Sequence, residues 1–305
     1  MESWRRSPKT FLALGLPPTA WLLLFFLIPI GIVWAFSFGE KVGIVDIDIT
    51  GTFANYDRAF EAVYLQIMVK SLIMAGLTTL VCIAVGFPVA FLITFAPARW
   101  KPWLLLLIIL PFWTNLLIRT YAMIAVLRTN NGFLNMGLEA IWDAADAVTG
   151  LFGLAALGAF QPWDILYSDA AVLIGMVYVF LPFAVLPLYS TLERLDTNFL
   201  EASLDLGAGH LKTFFSIVVP LAGPGIASAV IITFIPALGS FLQPDLLGGT
   251  DSQLIANVIE RQFLSANDWP FGGALSFLLM YITFIAIAAR AFLTRPNERR
   301  GSLPA

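Results

Sequence analysis

The sequence predicts an all-α integral membrane protein with six transmembrane helices and both termini in the cytoplasm. Three observations carry this. Of 305 residues, 59% are hydrophobic and only 12% charged, whereas a soluble domain has about a quarter of its residues charged. Six apolar stretches approach or exceed the roughly 20 residues needed to cross a 30 Å hydrocarbon core: 18–38, 67–95, 103–127, 170–190, 218–240 and 270–293. The basic residues also cluster on one set of connections, and Lys and Arg mark the cytoplasmic side.

The first stretch follows Arg5, Arg6 and Lys9, so a signal peptide competes with an uncleaved span. The apolar run is longer than a usual h-region and lacks a clear small-x-small cleavage site, which favours the span. With the N-terminus inside, the inner segments hold Arg5, Arg6, Lys9, Arg99, Lys101, Arg194, Lys212, Arg290, Arg295, Arg299 and Arg300. These are eleven of the seventeen basic residues, set against six acids, while the outer segments and spans hold fourteen acids and six bases. The outer connections are 39–66, 128–169 and 241–269. The second contains "LFGLAALGAF" (151–160), too short to span and expected at the outer interface or against the bundle. The chain reads as a single transmembrane domain over 1–305, with a cytoplasmic loop at 191–217.

Several function classes are disfavoured. Cys82 is the single cysteine, so an internal disulfide and a Cys-rich metal site are excluded, and its apolar run suits packing. The net charge of −3 suggests no nucleic-acid partner. No G-x-x-x-x-G-K-[ST] is present to cradle nucleotide phosphates. One histidine, His210, rules out H-E-x-x-H, and no G-x-S-x-G elbow occurs. His210 reads as an interface or solvent residue. No catalytic residue, metal ligand or cofactor is expected.

The segment "EASLDLGAGHLKTFFSIVVP" (201–220) interrupts this apolar chain. Asn198 and Glu201 have capping-box spacing, predicting a short helix over 199–206 ended by Gly207 and Gly209. A second helix is expected from near Leu211, bent early by Pro220 and Pro224. Glu201-Ala202-Ser203, Gly207 and Ile217-x-Val219-Pro220 together resemble the EAA motif of bacterial ABC importer permeases. Ser203 replaces the second alanine of that motif, and Val219 replaces a leucine.

"PFWTNLLIRTYA" (111–122), "YVFLPFAVLPLYSTLERLD" (178–196), "LLGGTDSQLIANVI" (246–259) and "NDWPFGGALS" (267–276) narrow the resemblance to polyamine permeases of the PotB/PotH type. The first outer loop and the region 137–168 match less well. The resemblance implies a type I ABC importer permease fold in the bacterial inner membrane, carrying spermidine, putrescine or a related small cationic solute. An ABC permease for another small polar solute is the alternative. The implied partners are cytoplasmic ABC ATPase subunits, a second permease in a heterodimer, a periplasmic substrate-binding protein and the lipid bilayer. Glu201, Ala202, Ser203, Asp205 and Gly207 would couple to the ATPase: Glu201 by polar contact, Ala202 and Ser203 by close approach, Gly207 by the turn.

A polycation path needs carboxylates or carbonyls and aromatic faces. Trp113, Tyr121, Tyr178, Asp245 and Trp269 are candidates, against the plainer readings of an interfacial aromatic belt and solvated loop acids. Asp169, Asp251, Glu260 and Asp268 are further outer acids. Arg119 lies inside the third span, where a cation is costly, and suits pairing or gating better than contact with a polycation. Asn115, one turn earlier, could share its face. A secondary transporter or channel is a competing class, but no inverted repeat is visible. A membrane-embedded enzyme or scaffold would need a constellation that the spans lack.

Overall fold

The computed structural model describes residues 8–43, 46–151 and 158–293. Most of "LFGLAALGAF" and the basic residues at 5, 6, 295, 299 and 300 therefore lie outside the described residues. The chain is mostly helical. It runs through α1 (Pro8–Leu22), α2 (Ile28–Phe36), the hairpin β1 (Glu40–Val42) and β2 (Asp46–Asp48), α3 (Ala54–Ala59) and the long α4 (Ala62–Phe95). Then follow α5 (Lys101–Ile109), α6 (Leu116–Leu127), α7 (Phe133–Leu151), α8 (Asp169–Leu192), α9 (Asn198–Asp205) and α10 (His210–Thr213). The remainder is α11 (Val219–Leu221), α12 (Gly223–Leu238), α13 (Leu242–Leu247), α14 (Ile255–Leu264) and α15 (Trp269–Leu293).

Among the described residues, three uninterrupted helices are long and apolar enough to cross a membrane: Ala13–Phe36, Ala62–Phe95 and Asp169–Leu192. Two bent pairs bring this to five if each counts as one span. The first pair departs from the continuous helix expected over 103–127. Lys101–Trp113 and Leu116–Leu127 meet at 98°. Pro111 cannot donate a helical hydrogen bond, a 3₁₀ turn closes over Leu110–Trp113, and Thr114 is extended (φ −96°, ψ 145°). Asn115 restarts the helix as its N-cap, its side chain accepting from the Leu117 N–H at 2.8 Å. Asn115 therefore serves as the cap of the helix that carries Arg119. The second pair, His210–Leu221 and Gly223–Leu238, bends by 64° beside Pro220 and Pro224, as their ring sterics require.

The chain divides into two compact units. One comprises residues 1–65 and 258–305, in which α15 packs on α2 and α3. Polar ties join its parts: Trp34 Nε1 donates to Tyr281 Oη at 3.0 Å, Ser37 Oγ and Tyr56 Oη share a 2.9 Å bond, and Asn55 Nδ2 donates to the Ser37 and Gly39 carbonyls. The Tyr56 hydroxyl is pushed up in pKa, by burial first, with the Ser37 bond opposing. The first apolar helix buries none of its hydropathic window inside the chain. A helix apolar on every face needs a lipid or protein environment.

The other unit, residues 66–257, has its core where α8 crosses α12 and α4. Val172, Met176, Val185 and Leu188 of α8 are fully buried, with Ala229 and Ala237 of α12 and Ala75, Cys82 and Ala90 of α4. Small residues allow this approach, the usual basis of helix association in membranes. A β-carbon on Gly225 would stand 2.7 Å from Thr191 Cβ, and one on Gly86 3.3 Å from Val185 Cγ2. Gly76 faces open space. Gly225→Ala should therefore cost about 1–3 kcal/mol through overpacking. Gly76→Ala should instead gain about 0.5–1 kcal/mol in helix propensity. Thermal unfolding of the two detergent-solubilised variants should shift in opposite directions.

Candidate functional site

The loop helix α9 is built differently at its start than its sequence suggests. Asn198 is already helical, so its side chain does not cap. Asp196 Oδ1 accepts from the Asn198 N–H at 3.0 Å instead, an Asx turn two residues upstream. The end matches the expectation for Gly207, which has φ +82°. The Gly207 N–H donates to Leu204 O at 2.9 Å and the Ala208 N–H to Ser203 O at 3.1 Å, a complete Schellman motif. Gly209 has φ −71° and ψ 159°, extended backbone that any residue adopts, and precedes α10.

This geometry separates the five motif residues. Glu201, Ala202, Asp205 and Gly207 are exposed, while Ser203 is half-buried. Ser203 Oγ shares a 3.0 Å hydrogen bond with Thr213 Oγ1, tying α9 to α10. Directly after α10, Phe214 packs edge-on against Phe87 and Phe91 of α4, at 5.5 and 5.6 Å between ring centres. A force on α9 therefore has a packed route to α4. Phe199, Leu206 and Leu211 stand exposed beside Glu201, Leu206 by 89%. These apolar residues were missed in sequence, although a polar loop carrying several large apolar residues is a sign of an interaction surface.

Deeper in the same unit, a cavity of about 350 Å³ is walled by α6, α8, α12 and α13 and lined by Phe112, Arg119, Phe180, Phe183, Phe241 and Gln243, among others. The Arg119 guanidinium lies 5.8 Å from the Tyr178 ring centre. Of the five residues proposed for a cation path, Tyr178 alone borders this charge. Trp113 is 75% exposed, and Tyr121 and Asp245 are also exposed. None of these three lines the cavity. Trp269 belongs to the other unit, edge-on to Phe263 at 5.8 Å.

Two of the further acids, Asp169 and Asp268, are already paired with bases. Lys70 Nζ lies 2.8 Å from Asp169 Oδ2 and donates to the Asp251 carbonyl at 2.7 Å. Beside it, the Ile255 N–H donates to Ser71 Oγ at 2.7 Å. In the other unit Arg58 Nη1 bonds Asp268 Oδ2 at 3.0 Å, its guanidinium 3.9 Å from the Phe271 ring centre. Burial alone would pull the Arg58 pKa down. Hydrogen bonds to Tyr64 and Asp268 overcome this and raise it, which favours the charged guanidinium. Arg58→Met should lower the melting temperature through the loss of about 1 kcal/mol, since the ion pair is partly exposed and the ring contact adds a similar small increment. An unchanged melting curve would show that neither contact stabilises this unit.

No protein-family model matches the chain. Its backbone follows, with a TM-score of 0.70 over 97% of this chain and 98% of the other, a chain of a bacterial alginate ABC transporter solved with an alginate pentasaccharide-bound periplasmic protein. At 15% identity this likeness shows a shared fold and no more. In sequence the chain is 39% identical over 283 residues to the spermidine/putrescine transport system permease protein PotB of Haemophilus influenzae, covering 92% of this chain and 93% of that protein. It is 40% identical over 263 residues to PotB of Escherichia coli, covering 86% and 90% respectively. The chain belongs to the PotB family of ABC transporter permeases, whose members are transport proteins and not enzymes.

Proposed function

We propose that this protein is the permease subunit of an ATP-binding cassette importer that moves spermidine, putrescine or a closely related small polyamine into the bacterial cytoplasm. The observation that carries this reading is the kinship with two spermidine/putrescine permeases along nearly the whole chain. The protein acts as one transmembrane domain over 1–305 in the inner membrane. It has six spans at 18–38, 67–95, 103–127, 170–190, 218–240 and 270–293, both termini cytoplasmic and the coupling loop at 191–217. The two bent pairs each count as one span, and α15 supplies the sixth.

ATP hydrolysis belongs to separate cytoplasmic subunits, a second permease completes the pathway as a heterodimer, and a periplasmic binding protein delivers the cargo. The alginate transporter's complex with a periplasmic protein supports the last point. The exposed face of α9 is the ATPase contact: Glu201 and Asp205 present charge, Ala202 permits close approach, and Gly207 sets the turn. Ser203 works from behind, holding α9 to α10 so that the ATPase stroke reaches α4 through Phe214. Trp113, Tyr121, Tyr178, Asp245 and Trp269 contribute to the path, their exposed faces directed to the second subunit or to the cargo.

Glu201→Ala removes a charged hydrogen-bonding partner worth about 1.5–3 kcal/mol, which corresponds to roughly tenfold or greater weakening of ATPase association. Gly207→Val strains a left-handed residue by about 1–2 kcal/mol or more. Both variants should insert normally into the membrane and lose substrate-stimulated ATP hydrolysis. Normal uptake and stimulation in both would remove the coupling role. Competition of labelled spermidine uptake by putrescine, but not by neutral or anionic solutes, tests the cargo in the reconstituted complex.

A further inference from the structure

The helix α7 is anchored where a membrane segment ends. Its first residue, Phe133, follows the last residue of α6, Leu127, after a turn of five residues, which can reach about 17 Å at most. The buried Asn135 side chain fixes that turn. Its Nδ2 donates to the Thr129 and Trp163 carbonyls at 3.1 and 3.0 Å, and its Oδ1 accepts from the Trp163 N–H at 2.9 Å. Leu134 packs against the cluster of Leu127, Leu166 and Ala171. With α5 and α6 read as one span, α7 therefore begins at the bilayer surface.

Along its 19 residues, about 28 Å at 1.5 Å per residue, α7 keeps two unlike sides. At 3.6 residues per turn Phe133, Ile141, Val148 and Leu151 share one side, and all four are more than half exposed. Gly137, Ala140 and Ala144 lie between them, so no charge interrupts that side. Glu139, Asp143 and Asp146 fall on the other, and α7 holds no Lys or Arg. A continuous apolar surface of this kind marks a contact. A helix rising away from the bilayer would carry its exposed apolar residues near its base. Here Leu151, at the far end, is the most exposed of the four at 84%. A helix divided lengthwise into apolar and charged sides suits the plane of the bilayer surface, with its charges in water. The acids repel anionic headgroups, so the fit is to zwitterionic lipid.

We propose that α7 is an amphipathic helix seated on the bilayer surface, its side of Phe133, Ile141, Val148 and Leu151 entering the headgroup and acyl boundary of zwitterionic lipid. This places a lipid contact inside the connection 128–169, outside the six spans. It rests on the span reading of α5 and α6 and is independent of the cargo.

The test uses the full chain with Cys82 left in place, because it is fully buried and an introduced surface cysteine takes the label. Ile141→Cys, Val148→Cys, Asp143→Cys and Leu107→Cys carry bimane in vesicles of dioleoylphosphatidylcholine. A doxyl group on the lipid near the headgroup should quench the labels at Ile141 and Val148 about twofold or more over that at Asp143, and aqueous iodide should show the reverse order. Equal iodide quenching at the three α7 positions would overturn the assignment. So would water access at Ile141 that is lost only when the second permease or the binding protein is added, since that gives the face to a protein. Lipid quenching that requires phosphatidylglycerol would overturn the zwitterionic fit. The label at Leu107 of α5, a residue 63% exposed, separates the two readings. Lipid quenching there with none on α7 sinks this inference alone, whereas none at Leu107 removes the span reading and this inference with it. Should Ile141→Cys fold poorly, Val148→Cys decides.

Discussion

A backbone amide left unpaired in hydrocarbon costs several kcal/mol, and the architecture of this chain depends on how its breaks meet that cost. Where α5 gives way to α6, a 98° bend exposes the first amides of a new helix. Asn115 covers the Leu117 N–H, and Thr114 bonds the Pro111 carbonyl through both its N–H and its hydroxyl. The bend in turn places Arg119 against α8 and α13. Had the helix run straight through, Arg119 would have had no such cavity to face.

The same economy governs the polar loop. Asp196 closes the start of α9, and Gly207 with Ala208 closes its end, so the helix leaves its outward face unengaged by its own capping. Ser203 shows how a departure from a motif can be a contact. The hydroxyl that replaces a methyl group binds Thr213 across the turn, stiffening the link between α9 and the α4 bundle. Under the coupling role proposed for this loop, such a link would carry an ATPase push to the membrane helices, where a flexible loop would dissipate it.

The charges divide into those already paired and those left open. Asp169 and Asp268, attractive in sequence as cation-capturing acids, are held by Lys70 and Arg58. Arg119 is the reverse case: its position in an apolar span advertised a partner, yet its buried Nε and Nη1 find none within the described chain.

Composition, span length and basic bias were enough to predict an α-helical membrane protein, because hydrocarbon solvation acts on each segment almost independently of its neighbours. The spacing from Glu201 to Pro220 was likewise legible, since capping, turn and kink are local in sequence. Other features were decided only by tertiary structure. The break at Thr114 looked like continuous apolar helix, because Pro111 is compatible with either a kink or a full reversal. The cap passed from Asn198 to Asp196 because the Asp196 carboxylate accepts the Asn198 N–H two residues on, with Asn198 already inside the helix. Most of all, Arg119 and Gln243 lie 124 residues apart along the chain. Only the packing of α6, α8 and α13 brings them to one cavity, and no local periodicity records a contact between helices so distant in sequence.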